Sequence, residues 1–145
     1  MKIYIASSWK NQHAVEMLTA LLREKKHEVL SFVENNHGEQ KGHAACDESG
    51  EPIPFDVWVQ SERGRLSFEY DTQGAILSDL VIYISPSGTD AWAEVGAAWG
   101  CGVPIIGLYA KGEQSGLMRR MMTEWANNYK ELLVIVDFFN KEQSK

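Results

Sequence analysis

A chain of 145 residues, 44% hydrophobic and 23% charged, has the size and composition of one globular domain that buries most of its apolar surface. Its formal net charge of -6 excludes a broad electrostatic grip on polyanions, which needs clustered Lys and Arg, so neither nucleic acid nor an anionic membrane is an expected partner. The N-terminal "MKIYIASSWKNQ" turns polar after a few apolar residues and no later run is long enough to span a bilayer, so a cytoplasmic protein is expected. Cys46 and Cys101 form no CxxC pair and read as free thiols.

In chain order, "KIYIASS" has strand composition, and "QHAVEMLTALLREKKH" carries Ala14, Leu18, Leu21 and Leu22 at helical spacing. "EVLSFVE" reads as a second strand. A long polar insertion follows at about 35–65, then a short helix ending in "AILSD", the strand "LVIYIS" and the helix "DAWAEVGAAWGC". The strand "PIIGLY", the helix "GLMRRMMTEWANN" and the strand "LLVIV" complete the series, with a frayed tail "NKEQSK". Strands rich in Val, Ile and Leu that alternate with helix-length segments predict an α/β fold, a doubly wound, flavodoxin-like five-stranded parallel sheet with helices on both faces. No internal repeat or low-complexity tract marks a second domain, so residues 1–145 read as one domain with a lid-like insertion.

In such a sheet the ligand crevice lies at the carboxyl ends of the strands where their order switches, between the first and third strands. The residues there are Ser7, Ser8 and Trp9, and then Ser85 to Glu94. The helix that leads back into "LVIYIS" runs antiparallel to the strands, which puts its start, near Tyr70 and Asp71, on the same rim. Asp71 and Glu94 are therefore candidates to face one crevice. With Thr89 or Asp90 as helix cap, Glu94 falls in or near the first turn, where the dipole favours an ionised carboxylate able to act as nucleophile or base. Taken alone, Glu94 and Asp71 also fit ordinary acidic residues at helix starts. Gly96, Ala97, Ala98 and Gly100 fit close packing on the sheet as well as room for a ligand.

"IYIASSW", Asp71 followed by Asp79-Leu80-Val81, and "PSGTDAWAEVGAAWGCGVPII" together resemble the nucleoside 2-deoxyribosyltransferase superfamily, which includes nucleoside 5'-monophosphate N-glycosidases. The similarity is strongest to an uncharacterised bacterial and phage branch that pairs "YIASSW" with a later "P-x-G-x-x-A-x-x-E-x-G". The resemblance covers most of the chain except the insertion. It implies that Glu94 is the covalent nucleophile, that Asp71 is the acidic residue beside the leaving base, and that Tyr4, Ala6, Ser7 and Trp9 line the sugar pocket, with Ser87 and the motif glycine Gly88 in the loop beside it. The implied reaction is cleavage or exchange of an N-glycosidic bond through a glycosyl-glutamate, in the manner of a retaining glycosidase whose two carboxyl groups divide nucleophile and acid roles. It implies a small-molecule nucleoside or nucleotide as partner, a homo-oligomer, and no metal or organic cofactor.

The chain departs from that pattern in two places. Between Gly88 and Glu94 it is longer than the transferases' "G-T-x-x-E", and the position from which some relatives send a polar side chain into the neighbouring subunit falls on Gly116, next to Ser115. Ser7, Ser8, Ser87 and the helix N-termini beyond them, with Lys10, Arg119 or Arg120, could hold a phosphate, although serines in such turns also serve only as caps and no P-loop or GxGxxG is present. In the insertion, Phe55 and Trp58 fit stacking on a base or anchoring of the loop. His37, His43, Cys46 and Asp47 match no recognised zinc spacing. Trp92, Trp99, Trp125, Met118, Met121 and Met122 suit core or subunit contacts. Two other readings stand beside the enzyme: a nucleotide- or nucleoside-binding sensor, which has no need of both carboxylates, and a serine hydrolase, against which the absence of a G-x-S-x-G elbow counts.

Overall fold

The computed structural model describes residues 1–34, 46–47 and 49–145. Its elements are β1 (Lys2–Ala6), α1 (Gln12–Glu24), β2 (Glu28–Ser31), α2 (Phe55–Gln60), α3 (Glu62–Leu77), β3 (Leu80–Ile84), α4 (Thr89–Gly100), β4 (Ile105–Leu108), β5 (Glu124–Ala126) and α5 (Tyr129–Gln143), with short 3-10 turns at Trp9–Asn11 and Leu117–Met121. The strands form one all-parallel sheet in the order β2-β1-β3-β4-β5. This is the five-stranded α/β fold expected from the strand composition, and its order reverses between β1 and β3.

Strand parity explains why β1 after Lys2, and β3 along its whole length, are apolar. Ile3, Ile5, Leu80, Ile82 and Ile84 pack with Val15 and Leu22 of α1 and with Leu132 and Val136 of α5. Tyr4, Ala6, Val81 and Tyr83 pack on the opposite face with Ala75 of α3 and with Ala91, Val95 and Ala98 of α4. All five residues of β3 are buried, as a central strand covered on both faces requires. No helix among the described residues is long and apolar enough to cross a membrane.

Three elements differ from the sequence reading. "LLVIV" is part of α5, not a strand: Leu132 and Val136 are buried one turn apart while Val134 is exposed, a 3.6-residue pattern that the β-branched composition hides. Asn128 caps this helix by accepting from the Glu131 N–H at 2.9 Å, and the helix runs to Gln143, so most of the tail is helical and not frayed. The fifth strand is instead the three-residue Glu124–Ala126, inside the segment expected to be helical, and only a 3-10 turn precedes it there. The short helix before β3 is the sixteen-residue α3, started by Ser61, whose hydroxyl accepts from the Gly64 N–H at 2.9 Å. The described end of the insertion is thus ordered into α2 and the first turn of α3. His37 and His43 lie outside the described residues. Asp47 closes a turn by accepting from the Ser49 N–H and hydroxyl, and no metal-binding group is found among the described residues.

Candidate active site

Parity also selects which side chains meet. Because Tyr4, in the middle of β1, points to the α3/α4 face, its ring packs against those helices, where it is fully buried. Its passage depends on Gly74 of α3: a Cβ there would stand 2.6 and 2.9 Å from two ring carbons. The Tyr4 hydroxyl donates to Oε1 of Glu94 on α4, and Asp71, one turn before Gly74, interacts with the same hydroxyl. The structure therefore brings Tyr4, Asp71 and Glu94 together across β1, α3 and α4.

Glu94 is not at the helix start. Gly88 is the N-cap, with no side-chain cap, so Glu94 is the sixth residue of α4 and faces inward from its second turn, only 8% exposed. The expected ionisation by the helix dipole is overturned by burial. Loss of solvent raises the Glu94 pKa well above the ordinary carboxylate value, the charge of Asp71 raises it further, and the Tyr4 hydrogen bond works in the other direction. Asp71 lies in the middle of α3, not at its start, and burial pushes its pKa up to about 7, with Asp90 adding repulsion and Tyr4 again opposing. Tyr4 is itself raised, first by burial and then by the two carboxylates, so it stays a phenol.

A phenol has one proton to donate, so it serves one carboxylate at a time. The second carboxyl group bonds to the same oxygen only by carrying a proton of its own. The arrangement therefore favours one ionised and one protonated member, and the two titrate as a coupled pair. The hydroxyl donates to Glu94, an acceptor role that a carboxyl group fills whether ionised or protonated, so the shared proton belongs to the pair.

The other residues singled out in the sequence divide between two surroundings. Ala6 is buried beside Tyr4. Ser7 is used structurally: its hydroxyl donates to the Ile84 carbonyl at 2.9 Å and accepts from Asn11 Nδ2 at 3.0 Å, while Asn11 also donates to the Pro86 carbonyl at 2.8 Å. These bonds tie the loop after β3 to the end of β1. Trp9 packs on the other side of the sheet, edge-on against Phe32 at 5.4 Å. Ser87 and Gly88 line a cleft of about 400 Å³ together with Lys10, Thr89, Trp92 and Arg119. Neither Glu94 nor Asp71 lines it. The N-terminal half of α4 is the wall that the cleft and the carboxylate pair share, with Gly88, Thr89 and Trp92 toward the cleft and Glu94 toward Tyr4. Of the insertion aromatics, Phe55 is 81% exposed, and Trp58 lies 5.9 Å from the Arg63 guanidinium.

Sequence reasoning missed Asn11, Glu113 and the packing role of Gly74. The first was visible as a polar residue just past a strand end; the other two depend on contacts with residues 30 and 70 positions away.

Comparison with solved structures returns the same fold. The chain is similar to a 2-deoxyribosyltransferase from Bacillus psychrosaccharolyticus, at TM-score 0.69 and 21% identity over 91% of this chain and 90% of that one. It is similar to a conserved protein from Enterococcus faecalis V583, at TM-score 0.61 and 18% identity over 92% and 94%. It is also similar to the Clostridium botulinum CMP N-glycosidase BcmB, at TM-score 0.56 and 19% identity over 94% and 99%. At these identities the likeness is one of fold. No protein-family model and no curated protein matches the chain.

Proposed function

We propose that the protein cleaves or exchanges the N-glycosidic bond of a nucleoside or nucleoside 5'-monophosphate, with Glu94 as nucleophile and Asp71 as proton donor. The observation that carries this reading is the buried pair of carboxyl groups joined through the Tyr4 hydroxyl. A purely structural pair of like charges at this depth would be costly, whereas a pair that shares one proton is arranged for acid and nucleophile to act together. The names of two of the similar structures, a deoxyribosyltransferase and a CMP N-glycosidase, lend the reaction class further support.

In the proposed reaction a Glu94 oxygen attacks the anomeric carbon as the bond to the base breaks, and the departing base takes its proton from Asp71. This leaves a glycosyl ester on Glu94 and an ionised Asp71. A water molecule or a second base, deprotonated by Asp71, then attacks the same carbon and frees Glu94. Tyr4 donates to Glu94 before the attack and must release that oxygen as the ester forms.

The cleft supports a phosphorylated substrate. The N-terminus of α4 opens into it without a side-chain cap, Lys10 and Ser87 line it, and the Ser87 hydroxyl is buried with no partner among the described residues. The 35–65 insertion belongs to the same reading as a lid over the base, carried by Phe55 on α2. A homo-oligomer belongs to it as well, through the exposed Phe68 and Leu77 of α3 and Trp99 of α4.

The test is to incubate the protein with ribo- and deoxyribonucleosides and their 5'-monophosphates, with and without a second free base, and to follow free base by chromatography. Base release alone identifies a hydrolase, and release that depends on the acceptor identifies a transferase. Binding of these compounds without release of base from any of them would replace the enzyme by a sensor.

A further inference from the structure

The cleft, which the carboxylate pair does not line, holds a network of its own that the bond-breaking step does not use. Arg119, on the 3-10 turn after β4, stacks its guanidinium 4.2 Å from the centre of the Trp92 ring. Its Nε donates to Oε1 of Glu113 at 3.0 Å, and its Nη2 lies 2.9 Å from the same oxygen in an ion pair. The other Glu113 oxygen, Oε2, accepts from the Tyr83 hydroxyl at 2.6 Å. Tyr83 is fully buried on β3, and the Glu113 side chain is only 4% exposed, whereas Arg119 keeps 25% of its own side-chain surface.

This geometry fixes the arginine from three sides. A carboxylate buried to this degree is costly alone, and here both of its oxygens are occupied by donors. Trp92 covers one face of the guanidinium, which limits its rotation. Gly116 leaves the space that the free end needs, because a Cβ at that position would stand 2.3 Å from Nη1. Nε and Nη2 face Glu113, and Nη1 has no partner among the described residues. An arginine used only to neutralise Glu113 would not require a cleft around it. Here Arg119, Glu113 and Trp92 line the same cleft as Lys10, Ser87 and the open N-terminus of α4.

We propose that Arg119 is a specificity-determining residue, a pre-oriented cation that takes an oxygen of the substrate's 5'-phosphate through Nη1, with Glu113 and Tyr83 as its positioning residues. The proposal rests on the nucleotide reading given above and adds to it the residue that separates a phosphorylated substrate from a nucleoside. The cation comes from the same chain, at the segment where Gly116 leaves no side chain to reach a neighbouring subunit.

The experiment compares kcat/KM for each 5'-monophosphate with that for its nucleoside in wild type, Arg119→Gln and Glu113→Gln. The wild type is expected to favour the monophosphate, and Arg119→Gln to lower that preference roughly 10- to 100-fold, the range for one lost charge-assisted hydrogen bond. Glu113→Gln frees the guanidinium, so it should act mainly through KM for the monophosphate. Arg119→Lys keeps the charge but not the planar fork, and should still lose several-fold of the preference, which covers the case of a glutamine variant that does not fold. A preference that stays constant in both Arg119 variants overturns the proposal. Calorimetric titration with ribose 5-phosphate separates this outcome from failure of the enzymatic reading. If no base is released from any compound but ribose 5-phosphate binds wild type at least 10-fold tighter than Arg119→Gln, the Arg119 assignment stands and the catalytic one falls. Equal binding to the two proteins, or none to wild type, overturns the assignment.

Discussion

Gly74→Ala sets two opposing effects against each other at the base of the candidate site. In a helix interior alanine is favoured over glycine by about 1 kcal/mol, so propensity alone predicts a more stable protein. The new methyl carbon, however, would lie 2.6 and 2.9 Å from the Tyr4 ring, which is fully buried and has no free direction in which to move. Overpacking of this kind costs about 1–3 kcal/mol, so the net expectation is a loss of about 1 kcal/mol. With an unfolding entropy of about 2.1 cal/mol/K per residue over this chain, that corresponds to a fall in Tm of roughly 3 °C. The displaced ring also carries its hydroxyl away from Glu94, so base release should fall by about 10-fold or more. Thermal unfolding by circular dichroism and base release by chromatography measure the two consequences separately. In a Tyr4→Val background the clash is gone, and the same Gly74→Ala change should raise Tm by about 3 °C instead. A higher Tm for Gly74→Ala in the wild-type background would refute the packing argument.

Tyr4→Phe removes the donor that works against the raised Glu94 pKa, so the acidic limb of the pH–rate profile should move to higher pH and kcat should fall roughly 10- to 100-fold. An unmoved acidic limb would detach Tyr4 from the titration of Glu94. Asp71 ties stability to pH as well: its pKa is 3.8 in the unfolded chain and about 7 in the fold, so between those values the folded state holds a proton that the unfolded state has lost. This contribution is fully present below about pH 4 and disappears as pH rises through about 7. The Tm of Asp71→Asn relative to wild type should therefore increase from pH 4.5 to pH 8, and a constant difference would contradict the buried, proton-holding Asp71. Glu94→Gln should abolish base release while leaving Tm at pH 8 equal to or above that of wild type, since it removes a buried group that is costly to ionise and keeps the shape. Loss of the fold in that variant would show that the carboxyl group supports the structure.

Much of the architecture was legible from local pattern. The apolar runs at β1, β3 and β4, separated by helix-length segments, are what a parallel sheet covered on both faces demands, and they place the crevice between β1 and β3. The C-terminal third was misread because a run of Leu, Val and Ile satisfies a buried strand and a helix face equally over five residues. Only the register of Leu132 and Val136 against the sheet, with Glu124–Ala126 taking the edge, distinguishes them.

At the site, residue types alone show which groups are able to do chemistry: two carboxylates, a tyrosine on β1, and serines and a lysine at the turns. The tertiary structure decided how those groups behave. Glu94 reads as a glutamate in or near the first turn, favoured in its ionised form, and how deeply it is buried depends on α3 closing over α4, which no local pattern encodes. The same holds for Arg119, whose charge is obvious in the sequence but whose orientation is set by Glu113, Trp92 and Tyr83 from three separate segments. Residue type fixes the available protons and charges, but burial and hydrogen-bond partners set their energies, and those are properties of the assembled fold.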